Sequence, residues 1–569
     1  MATPASLEGC LRALRIFERL GVTHVFGLPG TQTVPLFEAL RRSQLKTVVP
    51  GSELTAAFMA GAFYRAAGRP ALLVTIPGPG FASALPGLAE AKLDSAALIH
   101  LTIAAAEGPD ARFRLQAIPQ RAIAAEFAKG VLRVNTSEEI EPALEAAWQL
   151  ATTGEPGPVV VELAGEGTVD AYAASFAPAG ASGGNSGAAE ITAAWDRIAT
   201  ERRPLVYAGQ GSLGSAAQLR QLVEKLGAPL MTTPSARGVV PEDHPLVLPF
   251  DPCRGGLAQA NAALAAADTV LVLGAKLGHN GAAGQGLNFP APSTIQVDAD
   301  SAIAGASYPV ALAVTATVET FLAAAPTLER RSGWDEGQVA ALRAALRRAG
   351  EGRVEPRVAG GSAADFFAAL RRAMPREAAL VTDTGLHQVL TRRHFEVYSP
   401  GGLLLPSDFQ SMGFGLPAAI AAALAAPERP VVALVGDGSM AINGLELATA
   451  RALGLRLPVI VFVDGKLNQI RLQQQSDYGR DSGVAVPPLD FQALADAVGA
   501  PYRVVRDDPG GDLAWAFAQP GPSLLAVPVG DSGSMLRTRI SRRSKDTVAS
   551  LLGPRLRRWV KRVGRRNKA

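Results

Sequence analysis

Two aspartates 27 positions apart, Asp437 and Asp464, each stand where a short apolar run ends. Residues 430–435 (PVVALV) and 457–463 (LPVIVFV) read as strands buried on both faces of a parallel sheet. Residues 443–455 (NGLELATARALGL) read as the helix that crosses over between them. Such a βαβ unit brings the carboxyl ends of both strands to one edge, where open α/β sheets bind ligands. Two carboxylates at that edge, with Gly436, Gly438 and Ser439 at a helix N-terminus, suit a hard divalent cation bridging to phosphate oxygens. A Gly-Asp-Gly by itself is an ordinary strand-to-helix turn. The strand context, the spacing and the second acid favour the metal–phosphate reading.

A third acid, Glu53, follows the run TVV and precedes the apolar segment AAFMAGAF, which places it on a turn at a strand end. It would serve equally as a first-turn acid favourable to the helix dipole. Glycine turns mark the same region at Phe26-Gly27-Leu28-Pro29-Gly30 and Gly78-Pro79-Gly80.

Jointly these segments resemble the thiamine-diphosphate enzymes, and among them the acetolactate synthase-like group. The Asp437 to Asp464 spacing is similar to that family's metal–diphosphate motif. Ser52-Glu53-Leu54-Thr55-Ala56-Ala57-Phe58 resembles the segment with its essential glutamate, and Gln116 and Lys129 keep its spacing. Asp383-Thr384-Gly385-Leu386-His387-Gln388 looks like the opening of its third domain. Ser411-Met412-Gly413-Phe414-Gly415-Leu416-Pro417 looks like the stretch that bends the cofactor.

The resemblance implies an α/β chain of three doubly wound parallel-sheet domains: pyrimidine-binding, central and diphosphate-binding. It implies that Glu53 shares a proton with N1′ of the aminopyrimidine. Mg2+ would take oxygens from Asp437, Asp464 and the carbonyl of Lys466. His387 and Gln388 would lie on the phosphate side. Pro29, Gly30, Gly78, Gly385, Gly438 and Ser439 would line the cofactor. Met412 would wedge between its rings, with the Met412 N–H and the Gln410 carbonyl on the pyrimidine edge. The expected reaction is decarboxylation of a 2-keto acid followed by ligation to a second acceptor. The alternatives are a simple non-ligating decarboxylase and a catalytically silent paralogue. Glu53 and the Asp437 site are expected from different subunits, which implies a homodimer or homotetramer.

Several positions depart from the family pattern. Ser52 stands where His is usual, Ile76-Pro77 where Thr-Ser or Ser is common, and Ala117 and Pro119 where acids follow Gln116. Arg471-Leu472-Gln473-Gln474-Gln475 lacks the tryptophan of true acetolactate synthases. Lys276-Leu277-Gly278-His279-Asn280 replaces their flavin-contacting Arg-Phe-Asp-Asp-Arg, so FAD is not expected. Gly209-Gln210-Gly211 and Asp298 resemble a dinucleotide fingerprint but read better as structural turns; His279 reads as a solvated loop histidine or, at the edge facing the cofactor, as a group that selects substrate or relays protons.

The elements that must position these residues fall into three blocks. The expected boundaries are 1–170, a linker at 171–189, 190–328, a linker at 329–361, 362–530, and a tail at 531–569. A chain of 569 residues suits that number of domains. Two cysteines, Cys10 and Cys253, exclude a disulfide framework, and Cys10 reads as an inert core thiol. The net charge of +4 conceals an asymmetry, because residues 537–569 hold thirteen Arg and Lys against Asp546 alone. That tail carries +12 and residues 1–536 carry −8. The tail patterns as a basic amphipathic helix that would fold over the active site or touch an anionic membrane surface. The acidic body argues against nucleic acid as a partner. The expected location is cytoplasmic.

Overall fold

The computed structural model describes residues 3–105, 111–165, 187–327, 333–351 and 355–530. Most of the 171–189 linker and all of the basic tail lie outside the described residues. Three parallel sheets follow one another along the chain. The first holds β1 (His24–Gly27), β2 (Lys46–Val48), β3 (Leu72–Thr75), β4 (Leu98–Ile103), β5 (Gly130–Val134) and β6 (Pro158–Leu163), in the order β2-β1-β3-β4-β6-β5. The second holds β7 (Pro204–Ala208), β8 (Leu230–Thr232), β9 (Thr269–Leu273), β10 (Thr294–Asp298) and β11 (Leu312–Thr315), in the order β11-β10-β9-β7-β8. A short hairpin of β12 (Arg357–Val358) and β13 (Gly361–Ser362) leads into the third. That sheet holds β14 (Ala379–Thr382), β15 (Leu403–Leu404), β16 (Val431–Gly436), β17 (Pro458–Val463), β18 (Tyr502–Val504) and β19 (Ser523–Pro528), ordered β15-β14-β16-β17-β19-β18. The first and third sheets therefore share one topology, although their sequences show no repeat.

Central strands such as β4, β6, β9 and β16 are buried along their whole length. This is why they read as unbroken apolar runs. Two helices are apolar all round for a related reason. Glu53–Ala67 and Gly415–Ala425 bury opposite faces against different domains, and they meet in one core that spans the first and third sheets. Phe58 and Phe414 meet edge-on there, with ring centroids 5.7 Å apart. Gly87 lets the helix Pro79–Leu93 approach, since a Cβ on it would lie 2.4 Å from the Ala57 Cβ.

One expected element differs. The single crossover helix over 443–455 is two helices, Asp437–Asn443 and Glu446–Ala452. Gly444 caps the first, and a side chain there would meet the Met440 carbonyl at 2.4 Å. Helix therefore starts at Asp437 itself. Among the described residues no helix is long and apolar enough to cross a membrane.

Candidate active site

In the first sheet the chain passes from β1 to β2 on one side and then to β3 on the other. In the third it does the same with β14, β15 and β16. The sheet order reverses between β1 and β3 and between β14 and β16, and crevices open at the carboxyl ends of such strand pairs. Both crevices are lined by the residues picked out above.

At the first crevice, Glu53 is the first residue of its helix and does not sit on a turn before it. Ser52 caps that helix, its hydroxyl accepting from the Thr55 N–H at 3.3 Å while the Thr55 hydroxyl accepts from the Ser52 N–H at 3.2 Å. Glu53 is half-buried and faces Gly80, where a Cβ would lie 2.9 Å from Oε1. Gly80 and Gly30 both close on Ile76, at 2.8 and 2.4 Å by the same measure, and Pro29 is exposed beside them. Gly78 has φ +67°, and its N–H donates to Gln120 Oε1 at 3.3 Å. The Gln120 amide in turn donates to Glu162 at 2.7 Å. Gln120 was not expected in the site, since no local signal separates it from Gln116. Gln116 itself bends at φ +61° and lays its carbonyl over Gly78. Lys129 donates to the Glu155 carbonyl at 2.7 Å ahead of β6.

At the second crevice, Asp437 opens its helix from the end of β16. Its Oδ1 accepts from the Gly438 N–H at 2.8 Å, and Oδ2 from the N–H groups of Asp464 and Gly465 at 3.1 and 2.7 Å. Asp464 accepts from the Lys466 N–H at 3.1 Å and the Asn468 amide at 2.9 Å. Lys466 pairs with Ala485 in a short antiparallel bridge. Burial, then the charge of Asp437, raises the Asp464 carboxyl to about 6. Burial raises Asp437 as well, against three N–H donors that favour its charged form. His387 is buried against Gly385 and Gly436, where added Cβ atoms would lie 2.8 and 2.9 Å from its ring. Burial lowers it to about 3, so it is neutral.

Met412 reaches the same crevice, its Cε lying 3.3 Å from the Cβ position of Gly438. Asp383 organises that stretch, accepting from Gly413 N–H at 3.2 Å and Gly415 N–H at 2.7 Å. Gln410 holds the rare φ of +63°, with its amide on the carbonyls of Pro406 and Ser407 at 2.6 and 2.5 Å. The Gln388 amide also goes to the Pro406 carbonyl, at 3.2 Å. Gln388 and Gln410 thus share one carbonyl, that of Pro406.

Three family models match the chain in order. They are the thiamine pyrophosphate enzyme N-terminal TPP-binding domain over residues 12–123, the central domain over 191–325 and the C-terminal TPP-binding domain over 383–527. The chain is 30% identical over 543 residues to the acetolactate synthase isozyme 1 large subunit of Escherichia coli, covering 93% of this chain and 95% of that one. The chain belongs to the thiamine-diphosphate enzymes, in their acetolactate synthase-like group. It is also 30% identical over 531 residues to a probable 2-ketoarginine decarboxylase of Pseudomonas aeruginosa, covering 90% and 92%. A probable acetolactate synthase large subunit of Methanocaldococcus jannaschii is 28% identical over 525 residues, covering 88% of each chain.

The second crevice fits the diphosphate end of that family's cofactor. His387 Nε2 is buried there with no hydrogen-bond partner among the described residues, and Ser439 Oγ is buried beside Asp383. The helix from Asp437 offers N–H groups to an anion. No three His, Cys, Asp or Glu side chains of the described residues form a metal cage. Asp437 and Asp464 could thus hold a hard dication only with backbone and ligand oxygens, as Mg2+ sites commonly do.

In the central domain, Gly209, Gly211 and Gly274 are consumed in packing two strand-end loops. A Cβ on Gly209 would fall 2.2 Å from the Gly274 carbonyl, and one on Gly274 would fall 2.7 Å from Gly211 Cα. Lys276 donates to Glu155 and to the Leu93 carbonyl, both at 2.7 Å, and the Gln210 amide donates to the Asp94 carbonyl at 2.7 Å. These bonds strap the central domain to the first. Asp298 accepts from the Asp300 N–H at 3.1 Å, and His279 is exposed over Gly284.

Proposed function

We propose that this enzyme decarboxylates a 2-keto acid with thiamine diphosphate and Mg2+ and joins the product carbon to a second acceptor. The observation that carries this reading is the pair of crevices: one presents Glu53 against a glycine turn, the other presents two acids, a neutral histidine and a helix N-terminus. When bound, thiamine diphosphate supplies an acidic thiazolium carbon that adds to a keto group and accepts the electron pair left by CO2. Asp437, Asp464 and the Lys466 carbonyl would hold Mg2+. Neutral His387, Ser439 and the N–H groups after Gly438 would bind diphosphate oxygens. Glu53 would hold a proton on its carboxyl against the aminopyrimidine, and Met412 would fix the cofactor's bend.

Among the described residues no hydrogen bond joins Glu53 to Asp437, Asp464 or Met412. Apolar side chains stand exposed beside both crevices. Val34 (59%) follows the Gly30 turn and Val49 (52%) precedes the Glu53 helix, while Ile442 (49%) lies in the last turn of the Asp437 helix and Leu445 (74%) follows it. A second copy of the chain would cover such surface and complete each site. We therefore assign the working form to a homodimer or a dimer of dimers. Soluble keto acids and a highly phosphorylated cofactor suit a cytoplasmic location.

Simple decarboxylation is the second reading, favoured by the similarity to the probable 2-ketoarginine decarboxylase of Pseudomonas aeruginosa. A panel of 2-keto acids, including a guanidino keto acid, assayed with and without aldehyde acceptors for CO2 and for products, decides between the two. Ligated product supports the first reading and free aldehyde the second. Absence of CO2 from every acid would overturn both.

A further inference from the structure

Residues 405–411 run just ahead of Met412 and receive bonds from all three domains. Arg65 donates to the Leu405 carbonyl at 2.7 Å. The Ser407 N–H and hydroxyl both donate to Asp94, the former at 3.2 Å, and Asn280 donates to the Ser407 carbonyl. Glu90, from the helix Pro79–Leu93, accepts the Ser411 N–H on Oε2 at 2.9 Å. That amide directly follows Gln410, whose left-handed backbone must be held by its surroundings.

We propose that Glu90 is a positioning residue for the cofactor-holding stretch Gln410–Met412, holding it in place while uncharged and loosening it when ionised. This rests on the assignment of that stretch to thiamine diphosphate. The charge count around Glu90 supports it. The charged groups facing it are Asp94 on its own helix and Arg65 on Glu53–Ala67. Phe414 packs near it from the third domain, and the 405–411 segment meets this cluster with Ser407, Ser411 and main-chain groups. Arg65 is committed to Asp94, in a pair whose side chains are 5% and 1% exposed. One cation thus serves two buried carboxyls, and the second has every reason to remain neutral.

Glu90 is 2% exposed, and from the third domain its carboxyl is approached by the Ser411 N–H and hydroxyl alone, with no cation. A charged Glu90 would have to share Arg65 with Asp94, which already holds it. Burial, then the charge of Asp94, raises the Glu90 carboxyl to about 8. A carboxyl whose folded value is raised is favourable while protonated, and that contribution is lost as pH rises toward the folded value. The stretch should therefore be firmest near pH 5 and loosen as pH rises toward about 8.

Two readouts on the full chain test this, in wild type, Glu90→Gln and Glu90→Ala. The first is calorimetric affinity for thiamine diphosphate with Mg2+ from about pH 5 to 9. The wild type should lose affinity between about pH 5 and pH 8, by up to about tenfold per pH unit for one proton. Glu90→Gln, which keeps the acceptor and cannot ionise, should match the wild type at about pH 5 and show a flat profile. Glu90→Ala should be weaker throughout, by about fivefold, because Ser411 loses its acceptor. The second is amide hydrogen exchange over 405–415 without cofactor, corrected for the intrinsic pH dependence. Protection should fall between about pH 5 and pH 8 in the wild type, level off above that, and hold throughout in Glu90→Gln.

A purely structural Glu90 would give wild type and Glu90→Gln the same pH profile in both readouts, and that result overturns the proposal. If no variant binds cofactor but the exchange profiles differ as described, the functional assignment fails and the positioning role stands.

Discussion

Replacing Asp464 with asparagine should stabilise the cofactor-free protein at pH 8 and do so less at pH 5. Asp464 is raised from 3.8 to about 6, first by burial and then by Asp437 across the crevice. That difference corresponds to about 3 kcal/mol against the charged form. The sign follows from the direction of the shift. The penalty is absent below the unfolded value of 3.8, grows through pH 5 to about half, and is complete above about 6.

Asp464→Asn removes the charge but also costs one of the two bonds the carboxylate accepts. One carboxylate oxygen accepts from Asn468, whose own Oδ1 is already committed to Arg471 at 2.7 Å, so the new amide meets a donor. With partial exposure and this lost bond, a net gain of roughly 1 kcal/mol remains at pH 8. The assay is urea unfolding of the metal-free protein at both pH values, comparing midpoints at unchanged slope. Mg2+ affinity should move the other way, weakening by about tenfold or less as one anionic ligand becomes neutral. A variant less stable than wild type at pH 8, or one gaining equally at pH 5, would refute the claim that two facing acids await a cation.

Glu53→Gln should leave folding and cofactor affinity nearly unchanged while removing most proton exchange at the thiazolium carbon of bound cofactor, as followed by deuterium loss. Gly80→Ala should cost some stability, because the new Cβ would lie 2.8 Å from Ile76 Cγ1 as well as 2.9 Å from the Glu53 Oε1. Its kcat should also fall at least about tenfold as the Glu53 carboxylate is displaced. Phe58→Ala should destabilise the joint core of the first and third domains by about 3–5 kcal/mol, read in chemical unfolding. The purified protein should be colourless and turn over without added flavin, because Lys276 is bonded to Glu155 and Leu93; stoichiometric bound flavin would contradict this.

The acids at strand ends were legible because each lies where an apolar run stops, and the run itself is a signal confined to a few residues. β7 and β9 could be bounded to the residue, Pro204–Ala208 and Thr269–Leu273, for the same reason. Strands β5 (GVLRV) and β11 (LAVT) carry exposed or half-exposed positions at sheet edges, so their runs are broken and the sequence hides them. Glu53 was placed one step early. Its cap, Ser52 with Thr55, is not the Ser-x-x-Glu pattern that marks a helix start from sequence. Cys10 was readable from its helical face, and burial raises its thiol to about 12, which keeps it unreactive at neutral pH.

The polar groups that hold the site in place were not legible, because their partners lie hundreds of residues away. Glu446 shows why. Alone it is an acid in the first turn of a short helix, worth little. Folded, it is 3% exposed, and its Oε1 accepts from the Gly51 N–H at 2.8 Å and the Thr55 hydroxyl at 2.9 Å, 395 and 391 residues away. It therefore clamps both sides of Glu53 to the helix that follows the Asp437 turn. Glu90 and Asp94 make the reciprocal link, from the first domain to the Gln410–Met412 stretch of the third. Two buried polar clasps in opposite directions, over one shared apolar core, fix how the two crevices face within a chain. The core alone would tolerate sliding of small residues past one another, as between Gly87 and Ala57, whereas a buried carboxylate cannot leave its donors without a cost of several kcal/mol. The clasps thus convert a greasy contact into a register, and the register decides where Glu53 and Met412 stand.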